Sequence, residues 1–182
     1  MTIIESNDKL NIVAEIDLAE PKIARNIELA AGLIALLIAI VFGNILVSHG
    51  YNQWLLIWIV LLLIPGIFLH EVSHYIFQWF FSRKKPQMGI KLPFPYSALS
   101  PKATITRNQA IVCALAPLIL ISTILSAVAS TFTEPISTVI YGYVSIHMAT
   151  CWGDLLLIRW LLKYPKETKL VNINLRNVLV KL

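Results

Sequence analysis

Apolar residues in this chain fall into long runs rather than short helical or strand periods. A bilayer-spanning helix needs about 20 mostly apolar residues. Four runs meet that length, over residues 27–48, 54–81, 109–133 and 136–163. No Lys, Arg, Asp or Glu occurs between Glu28 and Glu71. The pattern predicts an all-α polytopic membrane protein of about four transmembrane helices, with a short cytoplasmic hairpin between the second and third. The second run is too long for a straight perpendicular helix and contains Pro65-Gly66, where a kink or a proline tolerated by neighbouring helices is expected. Pro117 in the third run reads the same way. Residues 86–108 hold Pro86, Pro93, Pro95 and Pro101. Residues 88–92 and 103–106 have strand-like composition and predict the hairpin. Weak alternation over Asn11–Leu18 predicts another short strand.

Composition supports the membrane assignment. The 182 residues are 57% hydrophobic and 14% charged, against a globular norm of about 25% charged. The net charge of +5 is no nucleic-acid signal, because the basic residues cluster beside the apolar runs. Arg83, Lys84, Lys85, Lys91, Lys102 and Arg107 lie between the second and third runs, and Lys166, Lys169, Arg176 and Lys181 lie in the tail. The loop His49–Gln53 and the turn at Glu134-Pro135 have no Lys or Arg. The positive-inside rule then puts both termini and the long middle segment in the cytoplasm. Three segments follow: a cytoplasmic N-terminal segment 1–26, a membrane-embedded unit 27–165 and a cytoplasmic tail 166–182. The mixed charge of the first segment does not read as a cleaved signal peptide. Cys113 and Cys151 lie within runs and read as small apolar residues.

The chemistry-bearing element is His70-Glu71-Val72-Ser73-His74, in the second run. Two histidines four positions apart project from one helix face. They suit two ligands of tetrahedral zinc, with the intervening glutamate as general base. Polar groups in an apolar span cost several kcal/mol unless compensated, so they carry a functional hypothesis by default. A catalytic zinc needs a third protein ligand. Asp154 is the candidate, a carboxylate deep inside the fourth run. His74 precedes Arg83 by the same nine positions that separate Asp154 from Lys163. Both groups therefore lie roughly 13 Å along their helices from a basic anchor and can meet at one level. Otherwise Asp154 pairs with Arg159 or caps a broken helix. His147, two turns before Asp154, is a second-shell or substrate-facing candidate, or a polar group bonded within the bundle; Asn44 is weighed the same way. His49 reads as a surface residue.

With that motif, Ala114-Leu115-Ala116-Pro117 and Gly153-Asp154, the chain resembles the zincin peptidase family of small bacterial and archaeal membrane proteins. More distantly it is similar to the site-2 protease group of intramembrane zinc metalloproteases. The likeness runs from about Leu29 to Pro165. It implies zinc on His70, His74 and Asp154, with Glu71 as catalytic base. It also implies an integral protein of a prokaryotic plasma membrane whose partners are the bilayer and a transmembrane or membrane-associated protein substrate. In two places the chain departs from the pattern. Gly153 precedes Asp154 where site-2 proteases have a longer Asp-Gly context, and His147 stands where the smaller family is expected to have asparagine. The expected activity is hydrolysis of peptide bonds in membrane-spanning or membrane-proximal segments. The alternatives are a catalytically idle zinc-binding membrane protein (sensor, chaperone or immunity factor) and a metal or proton transporter. A His₂-carboxylate set also suits iron.

Overall fold

The computed structural model describes residues 11–16, 21–52, 54–91, 94–101, 103–173 and 176–181. Among these, five helices and six strands follow the order β1 (Asn11–Ile16), α1 (Pro21–Ser48), α2 (Leu55–Ser82), β2 (Gln87–Lys91), β3 (Phe94–Ala98), β4 (Thr104–Thr106), α3 (Arg107–Ala129), α4 (Ile136–Thr150), α5 (Trp152–Leu161), β5 (Lys169–Ile173) and β6 (Arg176–Lys181). The expected all-α four-span architecture is thus corrected in two respects.

First, the apolar run 136–163 is two helices. The backbone leaves helical geometry at Cys151 (φ −71°, ψ 8°), and α4 and α5 have 15 and 10 residues. Neither reaches the ~20 residues a single span requires. Among the described residues, two helical stretches are long and apolar enough to cross a membrane, Leu29–Ser48 and Arg107–Ala129.

Second, antiparallel sheet makes up a substantial part of the fold. The strand expected over 11–18 is β1. The segment read as a tail supplies β5 and β6, the centre of a four-stranded sheet ordered β1-β6-β5-β4. Register pairs Leu170 with Leu179 and Thr104 with Val171. The hairpin expected between 88–92 and 103–106 forms instead from β2 and β3, with Gln87 opposite Ala98. Thr104–Thr106 joins the other sheet as β4, because β5 offers it a longer-range partner.

Local chemistry sets the helix ends that matter for the site. Gly50 (φ 76°) ends α1, with the Tyr51 N–H donating to the Leu46 carbonyl at 2.9 Å, a turn that glycine enters without steric cost. A capping box starts α3. Thr106 Oγ1 accepts from the Gln109 N–H and Gln109 Oε1 accepts from the Thr106 N–H, satisfying two otherwise orphaned donors. No break occurs in α2 at Pro65, so the helix tolerates the missing N–H. Gly66 has a different role: a Cβ there would run into the phenol of Tyr143.

Two apolar clusters flank the middle of α2. Leu99, Ile105, Ala110, Leu161, Leu170 and Leu179 bind the sheet to the ends of α2, α3 and α5. Val139, Tyr143, Val144 and Ile146 of α4 pack with Ala35, Ile38 and Leu63 of α1 and α2. The His-Glu-x-x-His turn lies between them.

Candidate metal centre

α2 carries His70 and His74 on one face, one turn apart, and their Nε2 atoms are 3.2 Å apart. The first turn of α5 brings Asp154 to them. Its Oδ2 lies 3.2 Å from His70 Nε2 and its Oδ1 3.2 Å from His74 Nε2. The break at Cys151 makes this possible, since it starts a new helix whose N-terminal dipole favours a carboxylate. Asp154 therefore faces the two imidazoles; among the described residues its ion pairs are with these histidines, while Arg159 lies in the last turn of α5.

The three donors fit a cation. Ligand atoms about 2.0–2.1 Å from a tetrahedral zinc stand about 3.3 Å apart, close to all three observed separations. The tautomer of His74 adds a second argument. Its Nδ1 is 2.9 Å from the Cys113 carbonyl of α3, which can only accept, so Nδ1 carries a proton and, in the neutral imidazole, Nε2 presents a lone pair. That lone pair faces carboxylate oxygen, an arrangement that is repulsive without a positive charge between them. Such an outer hydrogen bond also orients a ligating imidazole. No residue-type signal in the sequence marked Cys113 for this role, because its backbone performs it.

Glu71 stands beside the triad, with one carboxylate oxygen and the two histidine nitrogens within 4.8 Å of one another. Two cavities meet at this residue. One of about 320 Å³ is lined by Glu71, His74 and Asp154 together with Gln78, Ser97 and Asn177. The other, about 350 Å³, is lined by Glu71, His70 and His147 together with Ala31, Gly66 and Tyr143. Glu71 is common to both, and the second is much the more apolar.

His147 is 3% exposed and stacks against Tyr143. Among the described residues its Nδ1 has no hydrogen-bond partner, while its Nε2 lies 4.0 Å from Cys151 Sγ. Asn44 is exposed on α1 and lines neither cavity. His49 is exposed and bonds back to the Ile45 carbonyl. Cys151, read as a packing residue, has its Sγ 3.9 Å from His70 Nδ1 and 4.0 Å from His147 Nε2. Its position four residues after His147 and three before Asp154 is the signal that could have placed it on the same face.

No curated protein and no solved structure matches the chain. A family model described as "Putative zincin peptidase" matches residues 63–169, a stretch that holds the histidine motif, the Cys113 carbonyl and Asp154, and the chain belongs to that family.

Proposed function

We propose that this protein is an intramembrane zinc endopeptidase, with His70, His74 and Asp154 holding the metal and Glu71 acting as base. The observation that carries the reading is the convergence of three residues, whose two imidazole nitrogens and two carboxylate oxygens lie at 3.2 Å separations, beside a second carboxylate, that of Glu71. A purely structural zinc site has no use for Glu71. Zinc held there supplies Lewis acidity toward a peptide carbonyl and toward water. Glu71 accepts a proton from the attacking water as the carbon–oxygen bond forms. It returns the proton to the amine nitrogen as the carbon–nitrogen bond breaks.

The surroundings support a membrane substrate. Within the 18-residue apolar windows of Leu29–Ser48 and Arg107–Ala129, only 11% and 22% is buried inside the protein, whereas a core helix of a water-soluble protein would be mostly covered. Ile64, Leu33 and Leu37 are 72%, 67% and 62% exposed, an apolar surface of the kind that meets lipid or a partner. The apolar cavity suits a hydrophobic side chain, and the polar one suits water and unwound backbone. β3 pairs with β2, and its residues Tyr96–Ala98 line the polar cavity. An unwound substrate segment added beside β3 would present its amide to Glu71. Both termini and both sheets then lie on the cytoplasmic side, where the basic residues cluster.

The test compares wild type with Glu71→Gln in detergent, measuring metal content and cleavage of a panel of transmembrane peptides. One zinc per chain in both, with cleavage by wild type alone, is expected. Equal metal content with no cleavage by either would favour the catalytically idle zinc protein. Absence of metal from both would overturn the assignment.

A further inference from the structure

The two nitrogens of His70 face different surroundings. Nε2 belongs to the triad with His74 and Asp154. Nδ1 points the other way, toward the thiol of Cys151 at 3.9 Å, and beyond that sulfur lies His147 Nε2 at 4.0 Å. One donor atom from each of His70, His147 and Cys151 lies within 4.8 Å of the others. Cys151 is fully buried and His147 is 3% exposed. We propose that His70, His147 and Cys151 form a second metal position, a soft nitrogen–nitrogen–sulfur site that shares the His70 imidazole with the first.

Three observations support this. First, His147 has no strong hydrogen bond at either nitrogen. Among the described residues its Nδ1 has no partner, and its Nε2 has only the Cys151 sulfur at 4.0 Å. A buried imidazole left in that condition costs about 1–3 kcal/mol, and a cation on it would remove part of that cost. Second, the donor set discriminates between metals. Thiolate with imidazole selects zinc and other soft or borderline ions over magnesium or calcium. Third, the sulfur–nitrogen separations approach those of a metal site. Zinc bonds of about 2.3 Å to sulfur and 2.0 Å to nitrogen put these atoms roughly 3.5 Å apart, so the two sulfur contacts need shifts of only about half an ångström, and the two nitrogens close from within 4.8 Å by side-chain rotation. The bend at Cys151 sets this geometry, as it does for Asp154, and its N–H still bonds the His147 carbonyl at 3.2 Å.

Occupancy would release the Cys151 thiol proton and, with the first centre filled, also the His70 Nδ1 proton, leaving that imidazole as the anion shared by both positions. His147 contributes a lone pair and loses nothing. Because His70, His147 and Glu71 line one cavity, a metal here blocks the apolar side of the centre. The site shares His70 with the first centre but does not depend on peptidase activity; only this inhibitory consequence rests on the proposed peptidase reading.

The test is a cobalt(II) titration of the metal-free, full-length protein in detergent, followed by visible and near-ultraviolet absorbance. The first equivalent is expected to give d–d bands without a thiolate charge-transfer band, because its ligands are nitrogen and oxygen. The second is expected to add that band. Cys151→Ser should abolish the band and weaken the second equivalent at least tenfold, while Cys113→Ser keeps both. A wild-type titration that passes two equivalents with no charge-transfer band overturns the proposal, as does a band that survives Cys151→Ser. Failure of the first centre reads differently: the d–d bands of the first equivalent would be missing, or would arrive together with the thiolate band.

Discussion

Asp154 and His74 meet at 3.2 Å although they belong to helices far apart in the chain, and the carboxylate reaches His70 with its other oxygen at the same distance. A single carboxylate thus spans both imidazoles. Replacing Asp154 with asparagine keeps the shape and removes the charge. Metal affinity should fall by more than the ~10–100-fold that loss of an outer-shell partner causes. Elemental analysis of purified Asp154→Asn, with chelator competition, checks it; metal retained at wild-type affinity would leave Glu71 as the third ligand instead.

Metal removal should cost stability, because the donors belong to α2 and α5 and come together only in the folded chain. A ligand present at 100 times its Kd stabilises by about 2.7 kcal/mol. Chelation should therefore lower the melting temperature in detergent, and zinc should restore it. Magnesium should not, since its preferred ligands are oxygen. An unchanged melting curve would show that the folded chain holds no tightly bound metal.

α3 owes its placement to Thr106 and Arg107, and α3 delivers the Cys113 carbonyl to His74. Besides the capping box, the Arg107 guanidinium donates to the Tyr164 carbonyl at 2.6 Å and to Asn108 Oδ1. Thr106→Ala should cost about 1 kcal/mol through the lost cap. Arg107→Ala should cost more, because hydrogen bonds from a charged donor contribute about 1.5–3 kcal/mol. Denaturant or thermal titration in detergent distinguishes the two, and metal stoichiometry should be unchanged in Thr106→Ala.

Why some of this was legible in the sequence and some was not follows from where each signal resides. His70 and His74 are neighbours on one helix, so their spacing alone brings them together. Asp154 could be found because a carboxylate stands out in an apolar run and its distance from a basic anchor matches that of His74. The sheet left no such mark. β5 and β6 bury Leu170 and Leu179 together with Val171, Val178 and Val180, so inside/outside alternation is lost, and flanking lysines made the segment look like a solvated tail. The partner of Thr104–Thr106 lies some sixty residues downstream, which composition cannot reveal. The break at Cys151 was equally silent, because its neighbours are as apolar as those of a continuous span. Consequently Cys151 looked like packing until the bend placed it between two histidines.

Gly66 offers a test of close helix packing. A methyl group at this position meets the Tyr143 phenol, which is 4% exposed and sits inside an apolar cluster. Overpacking of this kind costs about 1–3 kcal/mol, so Gly66→Ala should lower the melting temperature. Tyr143→Ala creates the missing space at its own expense. The double variant should therefore be less destabilised than the sum of the two, with a coupling of about 0.5–3 kcal/mol. Strict additivity would show that the glycine is there for another reason.

His147→Leu separates function from stability. The wild-type imidazole is buried with Nδ1 unpartnered, and it lines the apolar cavity with His70 and Glu71. Leucine has similar bulk and no polar atom to leave unsatisfied. If His147 were retained for packing alone, the variant would lose stability or keep it, and turnover would follow the amount of folded protein. The strain instead predicts that metal-free His147→Leu melts at or above the wild-type temperature, because the ~1–3 kcal/mol penalty of the orphaned nitrogen disappears. Turnover of a transmembrane peptide per folded molecule should fall at least tenfold, since the imidazole that α4 contributes beside Glu71 and His70, alongside Tyr143 and Thr150, is gone. Thermal melts of the metal-free chains paired with single-turnover cleavage read the two effects separately. A destabilised variant with full turnover would make His147 a structural residue of the bundle.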